Sequence, residues 1–183
     1  MAVSGQLTLP ALQALLRDGN LTGAWTLDSA RSEVRLKTKS MWGLAPVKGV
    51  FRQVTGSGTV SAAGEAAGVI TVAAGSIDTK NKKRDEHLRS ADFFDSANYR
   101  DITFTVDSVS PGDEGARVTG SLTVRGRTRP VSFDAKVSSF DGGEIWLDAD
   151  VQVNRADYGL TWNQMGMASL DNTISVHAVF SRA

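Results

Sequence analysis

The chain has 183 residues, with 20 lysines and arginines balanced by 20 aspartates and glutamates, so no field of one sign steers it as a whole to nucleic acid. Cysteine is absent, which excludes disulfides, thiolate metal sites and cysteine nucleophiles together. The length suits one domain with a sizeable core, and no uninterrupted apolar run approaches the roughly 20 residues that cross a bilayer.

The amino terminus, "MAVSGQLTLPALQALLRDGN", has no basic n-region, and Gln6, Thr8, Pro10 and Gln13 interrupt its apolar stretch, so a soluble, cytoplasmic protein is expected. Residues 8–19 read as the one sustained helix. Thr8 can cap it, Pro10 suits the first turn, Leu9, Leu12, Leu15 and Leu16 form a stripe, and Gly19 can end it. Its simplest role is to cover a groove or one end of whatever follows.

From residue 32 the period changes to two. Val34, Leu36 and Thr38 alternate with Arg35, Lys37 and Lys39, as expected of a strand with one buried face. Strand-like segments follow near 47–61 and 69–76. Ile102, Phe104 and Val106 then alternate, as do Val118, Leu122 and Val124 around Gly120, and Val131, Phe133, Ala135 and Val137. After an Asp141-Gly142 hairpin turn, the odd positions from Ile145 to Val153 form an apolar face. The last strand puts Ile174, Val176, Ala178 and Phe180 on one side and His177 on the other. This makes about eight strands separated mostly by glycine-bearing turns, a pattern that favours a closed barrel or a sandwich. Residues 78–100 and 154–172 break the alternation and are too long for hairpin turns, so the chemistry is expected there.

The strings "GVF" at 49–51, "SIDTKNKKRDEHLRSADFFD" at 76–95, "ITF" at 102–104, "GSLTVRGRTRPVSF" at 120–133 and "NRADYGL" at 154–160 occur in an order that resembles the YceI-like family. The resemblance runs from about Gly23 to the end of the chain. It implies an all-β fold: an eight-stranded antiparallel lipocalin-like barrel, here with an N-terminal helix and a short helical segment in a long loop. Residues 1–22 would be a helical extension and 23–183 the barrel domain. It also implies a long cavity that holds a polyisoprenoid chain, and a binding protein for a prenyl diphosphate, quinone or related amphiphile rather than an enzyme.

On this reading the inward positions Val34, Leu36, Phe51, Ile102, Phe104, Val151, Val153, Ile174 and Val176 line the cavity. Among the cations of 80–89, Arg84 and His87 are the candidates for the headgroup, and the lysines are read as a solvated face. Phe93 and Phe94 either plug one end or line a portal, and Phe94 is counted with the ligand contacts. Trp162, Met165 and Met167 form a soft apolar cluster suited equally to core and to an entrance, with Trp162 and Met165 taken as ligand-binding. Arg155 is expected to pair with Asp157 or another acid in a structural role. No metal ligand set and no cofactor are called for, and a homodimer is an open partner class. The alternatives are a lipid-diphosphate enzyme using His87 as base with its neighbouring acids, and a stress-response module whose barrel is filled.

Overall fold

The structure, a computed structural model, describes residues 5–113, 115–140 and 143–183; the turn expected at Asp141-Gly142 lies outside them. In chain order it runs β1 (Gly5–Gln6), α1 (Leu9–Arg17), β2 (Gly23–Leu27), β3 (Glu33–Ser40), β4 (Ala45–Phe51), β5 (Val54–Val60), β6 (Ala66–Ala73) and β7 (Ile77–Asp78). Then come α2 (Lys82–Arg89), β8 (Asp101–Gly112), β9 (Gly115–Val124), β10 (Arg127–Phe140), β11 (Glu144–Asn154) and β12 (Asp171–Arg182).

These strands are sections of eight longer antiparallel courses. β2 and β3 pair with the same edge of β12, β2 at Phe180–Arg182 and β3 at Thr173–His177. The corner between them is held by Asp28 N–H donating to Val179 O at 2.8 Å and Val179 N–H donating to Ser32 Oγ at 3.0 Å. β4 and β5 likewise form one course, interrupted at Arg52–Gln53, which pairs first with β3 and then with β2. A 3₁₀ turn at Ala74–Ser76 joins β6, which pairs with β5, to β7, which pairs with β4. β6, β8, β9 and β10 continue the ladder, and β11 bonds to both β10 and β12, closing an eight-stranded barrel in up-and-down order. Closure gives every course a neighbour on both sides, the arrangement that alternating strands favour.

The breaks have a geometric cause. A course that pairs along a barrel of this length must bend, and inserting unpaired residues re-aims the strand while keeping apolar side chains inward. The contact between β10 and β11 is also partial: only Lys136–Phe140 bonds to Glu144–Asp148, while Arg127–Ala135 pairs with β9.

Helix α1 forms where the leucine stripe places it. Thr8 Oγ1 accepts from Ala11 N–H at 3.4 Å, Pro10 lies in the first turn, and Gly19 follows in the left-handed region at φ 72°. Leu12 is buried with Leu7, Leu21, Trp25, Ala116 and Val137 at the barrel end where β9 begins and β10 finishes. The helix therefore seals one end. No helix among the described residues is long and apolar enough to cross a membrane.

At the opposite end β7 is fixed by Asp78. Its carboxylate accepts from the Lys80 backbone N–H at 2.9 Å and from Arg52 Nη2, also at 2.9 Å. The Lys80 amide first, then Arg52 and the Lys80 side chain, lower its pKa from 3.8 to about 2. A carboxylate held low in the fold adds stability above its unfolded pKa and loses it as the pH falls through the folded one. Replacing Asp78 by Asn should therefore flatten the loss of urea midpoint between about pH 4 and about pH 2, read by circular dichroism. Leu12→Ala should lower unfolding stability by about 3 kcal/mol, measured by the same denaturant titration, because the helix cannot collapse fully into the space left beside Trp25.

Candidate ligand cavity

Between the two ends the barrel encloses a cavity of about 320 Å³, lined almost wholly by apolar side chains. That volume is at the lower end of the range for small-molecule sites. Its wall comes from the inward parity of nearly every course: Val34 and Leu36 on β3, Phe51 on β4, Ile102 and Phe104 on β8, Val151 and Val153 on β11, Ile174 and Val176 on β12. All nine were expected. Register explains the agreement, since Val34 faces both Val176 and Phe51, and Ile174 faces both Leu36 and Val151 across the ladders.

The wall also contains residues that the sequence reading did not select. Ile70 and Val72 of β6, Leu122 and Val124 of β9, and Val131 and Phe133 of β10 line the same space. Their signal was present, because each pair continues a period-two face. Tyr158 and Leu160 line it from a 3₁₀ turn at Arg155–Tyr158, where no periodicity marks them. Gly120 shows how the wall is shaped: a Cβ there would stand 2.7 Å from the Phe104 ring, so its absence lets that ring lie across β9 against Phe133, centroids 5.4 Å apart.

The polar residues gather at the mouth, opposite α1. Helix α2 begins with the Asn81 side chain accepting from Arg84 N–H at 3.0 Å. The buried Asp85 accepts from Thr79 N–H at 2.9 Å and from its hydroxyl at 2.6 Å. Arg84 donates from Nε to Thr79 Oγ1 at 2.8 Å and from Nη2 to Thr79 O at 2.9 Å. Its Nη1 has no partner among the described residues, and Arg84 borders the cavity. The lysines at 80, 82 and 83 are exposed and do not line it.

His87 also borders the cavity, but its acid is not a sequence neighbour. Nε2 lies 2.8 Å from Asp92 Oδ2, while Asp85 is consumed by Thr79. The imidazole stands edge-on to Trp162 at 4.4 Å between centroids and to Phe93 at 5.1 Å, which joins α2 to the 154–172 loop. Phe93 and Phe94 both reach the cavity; Phe94 packs edge-on against Phe51 at 5.8 Å. Phe94 is buried in the core, and Phe93 is half-buried beside His87 and Trp162.

Two expectations about the second loop are corrected. Arg155 pairs with no carboxylate among the described residues. It is buried, and its guanidinium donates to the carbonyls of Ser169 at 2.9 Å, Leu160 at 2.7 Å and Trp162 at 2.8 Å, and lies 5.4 Å from the Phe93 centroid. Burial lowers its pKa from the ordinary value, and the carbonyl fork offsets that cost. The turn is capped by Asn154, whose side chain accepts from Ala156 N–H at 2.9 Å. Met165, taken as a ligand contact, does not line the cavity: it is 78% exposed. The Arg155 fork draws Leu160 and Trp162 inward, and the Met165-Gly166 turn, both residues at positive φ, projects away. His177 faces outward, bonded to Asp148 Oδ1 at 2.6 Å.

The arrangement is a one-ended apolar tube with charged donors and aromatic rings at its opening. Comparison with known proteins agrees on the architecture. BcnA of Burkholderia cenocepacia superimposes with a TM-score of 0.76 at 23% identity, covering 84% of this chain and 98% of that one. A Saccharophagus degradans domain described as polyisoprenoid-binding gives 0.70 at 17% identity, covering 87% and 98%. In sequence, Protein YceI of Escherichia coli O17:K52:H18 is 34% identical over 141 residues, 72% of this chain and 73% of its own length. A UPF0312 protein of Staphylococcus aureus is 32% identical over 148 residues, 76% and 84% of the two chains. With the YceI-like domain profile matching residues 25–180, from the buried Trp25 to the last inward residue of β12, the chain belongs to the YceI-like family.

Proposed function

We propose that this protein binds the apolar tail of an isoprenoid amphiphile inside the barrel and presents its polar end at the mouth. The observation that carries this is the cavity itself: a hollow apolar interior, closed by α1 at one end and rimmed by Arg84, His87 and Trp162 at the other. A hydrocarbon tail drawn from water into such a space gains about 25 cal/mol per Å² of apolar surface buried, so affinity is set by the tail. The similarity in architecture to a domain described as polyisoprenoid-binding supports the same ligand class.

The headgroup is read by few donors. Arg84 Nη1 remains open while the other nitrogens of the guanidinium anchor it to Thr79, so the group is held in place before ligand arrives. An anionic headgroup such as a diphosphate suits it. His87 is oriented by Asp92 and clamped by two rings, an arrangement that positions a donor or acceptor for the headgroup.

Native mass spectrometry of the protein purified from its host, followed by solvent extraction, should reveal a stoichiometric prenyl lipid. Ile174→Trp, which fills the cavity between Leu36 and Val151, should weaken binding of an added prenyl diphosphate roughly tenfold or more while far-ultraviolet circular dichroism stays native. Unchanged affinity in a folded variant would place the ligand elsewhere. Arg84→Met should weaken a prenyl diphosphate by roughly tenfold and leave an uncharged prenyl quinone unaffected, measured by fluorescence competition.

A further inference from the structure

The large apolar side chains that remain exposed among the described residues are confined to one end of the molecule. Met41 is 51% exposed, Trp42 65%, Leu44 82% and Met165 78%, with Leu170 and Tyr99 less so, and all six sit around the cavity mouth. Met41, Trp42 and Leu44 form the tip of the β3–β4 hairpin. Met41 and Trp42 adopt φ of 51° and 55°, a conformation that bulky residues disfavour and that glycine or asparagine would accept without strain. Neither burial nor turn geometry therefore accounts for a Met-Trp tip.

The hairpin also carries a distinctive charge. Between Val34 and Arg52 there are five cations, Arg35, Lys37, Lys39, Lys48 and Arg52, and no carboxylate. Arg35 is paired with Glu33 and Arg52 with Asp78, whereas Lys37, Lys39 and Lys48, nearer the tip, form no salt bridge among the described residues. Lys37 and Lys48 are direct cross-strand neighbours on the outer face, a like-charge juxtaposition that costs stability in water and is relieved beside an anionic surface. The tip is joined to the second loop, since Trp42 N–H donates to Met167 O at 3.2 Å and Ser169 N–H to Lys39 O at 2.9 Å. Thr38, Ser40, Ala168 and Ser169, just below it, line the cavity. The apolar tip therefore adjoins the cavity mouth.

We infer that the β3–β4 hairpin tip, with the Met165 turn beside it, is a membrane-docking lip that seats the mouth of the barrel on a bilayer containing anionic lipid. Met41, Trp42 and Leu44 enter the headgroup region, where an indole is favoured, and Lys37 and Lys48 meet the lipid phosphates. The tail then passes between bilayer and barrel without crossing water. The cargo in this inference rests on the proposed function; the docking surface does not.

The test is co-flotation of the full chain with phosphatidylcholine vesicles made with and without phosphatidylglycerol, at low and high salt. The protein should float with the anionic vesicles, less so in high salt, and Trp42 should shift its emission to the blue. The triple variant Met41→Ser, Trp42→Ser, Leu44→Ser should lose binding roughly tenfold or more yet take up a detergent-delivered prenyl diphosphate as the parent does. Should that variant fail to fold, Lys37→Glu with Lys48→Glu must reduce flotation on anionic vesicles alone. Absence of vesicle binding, or binding that ignores both sets of substitutions, overturns the docking lip. So does a parent that sediments as a dimer and a triple variant that sediments as a monomer, which would make the lip an interface between copies. Flotation without uptake of the prenyl probe by the parent would leave the lip standing and remove the cavity reading.

Discussion

The ladder on both edges of β12 holds the molecule together as a barrel. One edge bonds to β11 over eleven residue pairs from Glu144 to Asn154, and the other bonds to β2 and β3 in succession. Because side chains alternate along a strand, this closure sends Ile174, Val176, Ala178 and Phe180 inward together with the matching faces of their partners. A slip of one residue would turn that face to solvent. The hollow interior and the separation of its two ends follow from that register.

The ends are finished by different physics. At the α1 end, side chains from the helix pack with Trp25, Ala116 and Val137, and the buried indole N–H of Trp25 is satisfied by Leu21 O at 2.9 Å, so the end is closed mainly by apolar burial. At the mouth, loop backbone comes inside the rim, and its carbonyls need donors. Arg155 supplies them for Leu160, Trp162 and Ser169, while the Asp85, Thr79 and Arg84 network does the same for the start of α2. Polar chemistry therefore concentrates where the chain departs from the ladder, while the wall between the ends stays apolar.

The proposed cargo site and the proposed docking lip are compatible. The cavity is apolar, so a tail bound there is best delivered without passage through water, and the rim beside it exposes a Met-Trp-Gly-Leu tip on a cationic hairpin. Charge balance over the whole chain conceals this, since the net value of zero says nothing about how cations and acids are distributed along the barrel axis.

Period-two alternation determined the strand courses and their inward faces, because parity is a local property that closure preserves; which inward residues line the cavity, as Ile174 and Val176 do, and which do not, as Ala178 and Phe180, was decided by the closed barrel. The leucine stripe with Thr8, Pro10 and Gly19 likewise determined α1, whose helix depends on spacing and capping within one segment. The loops were legible only as loops. Which acid meets His87 and where the Arg155 guanidinium donates were decided by how each loop folds back on itself, His87 onto Asp92 and Arg155 onto the carbonyls of Leu160, Trp162 and Ser169. The packing of His87 against Trp162 exists only once the ladders have brought 78–100 and 154–172 to the same rim, and a pattern read along the chain carries no information about which unsatisfied carbonyl will lie within reach of which donor.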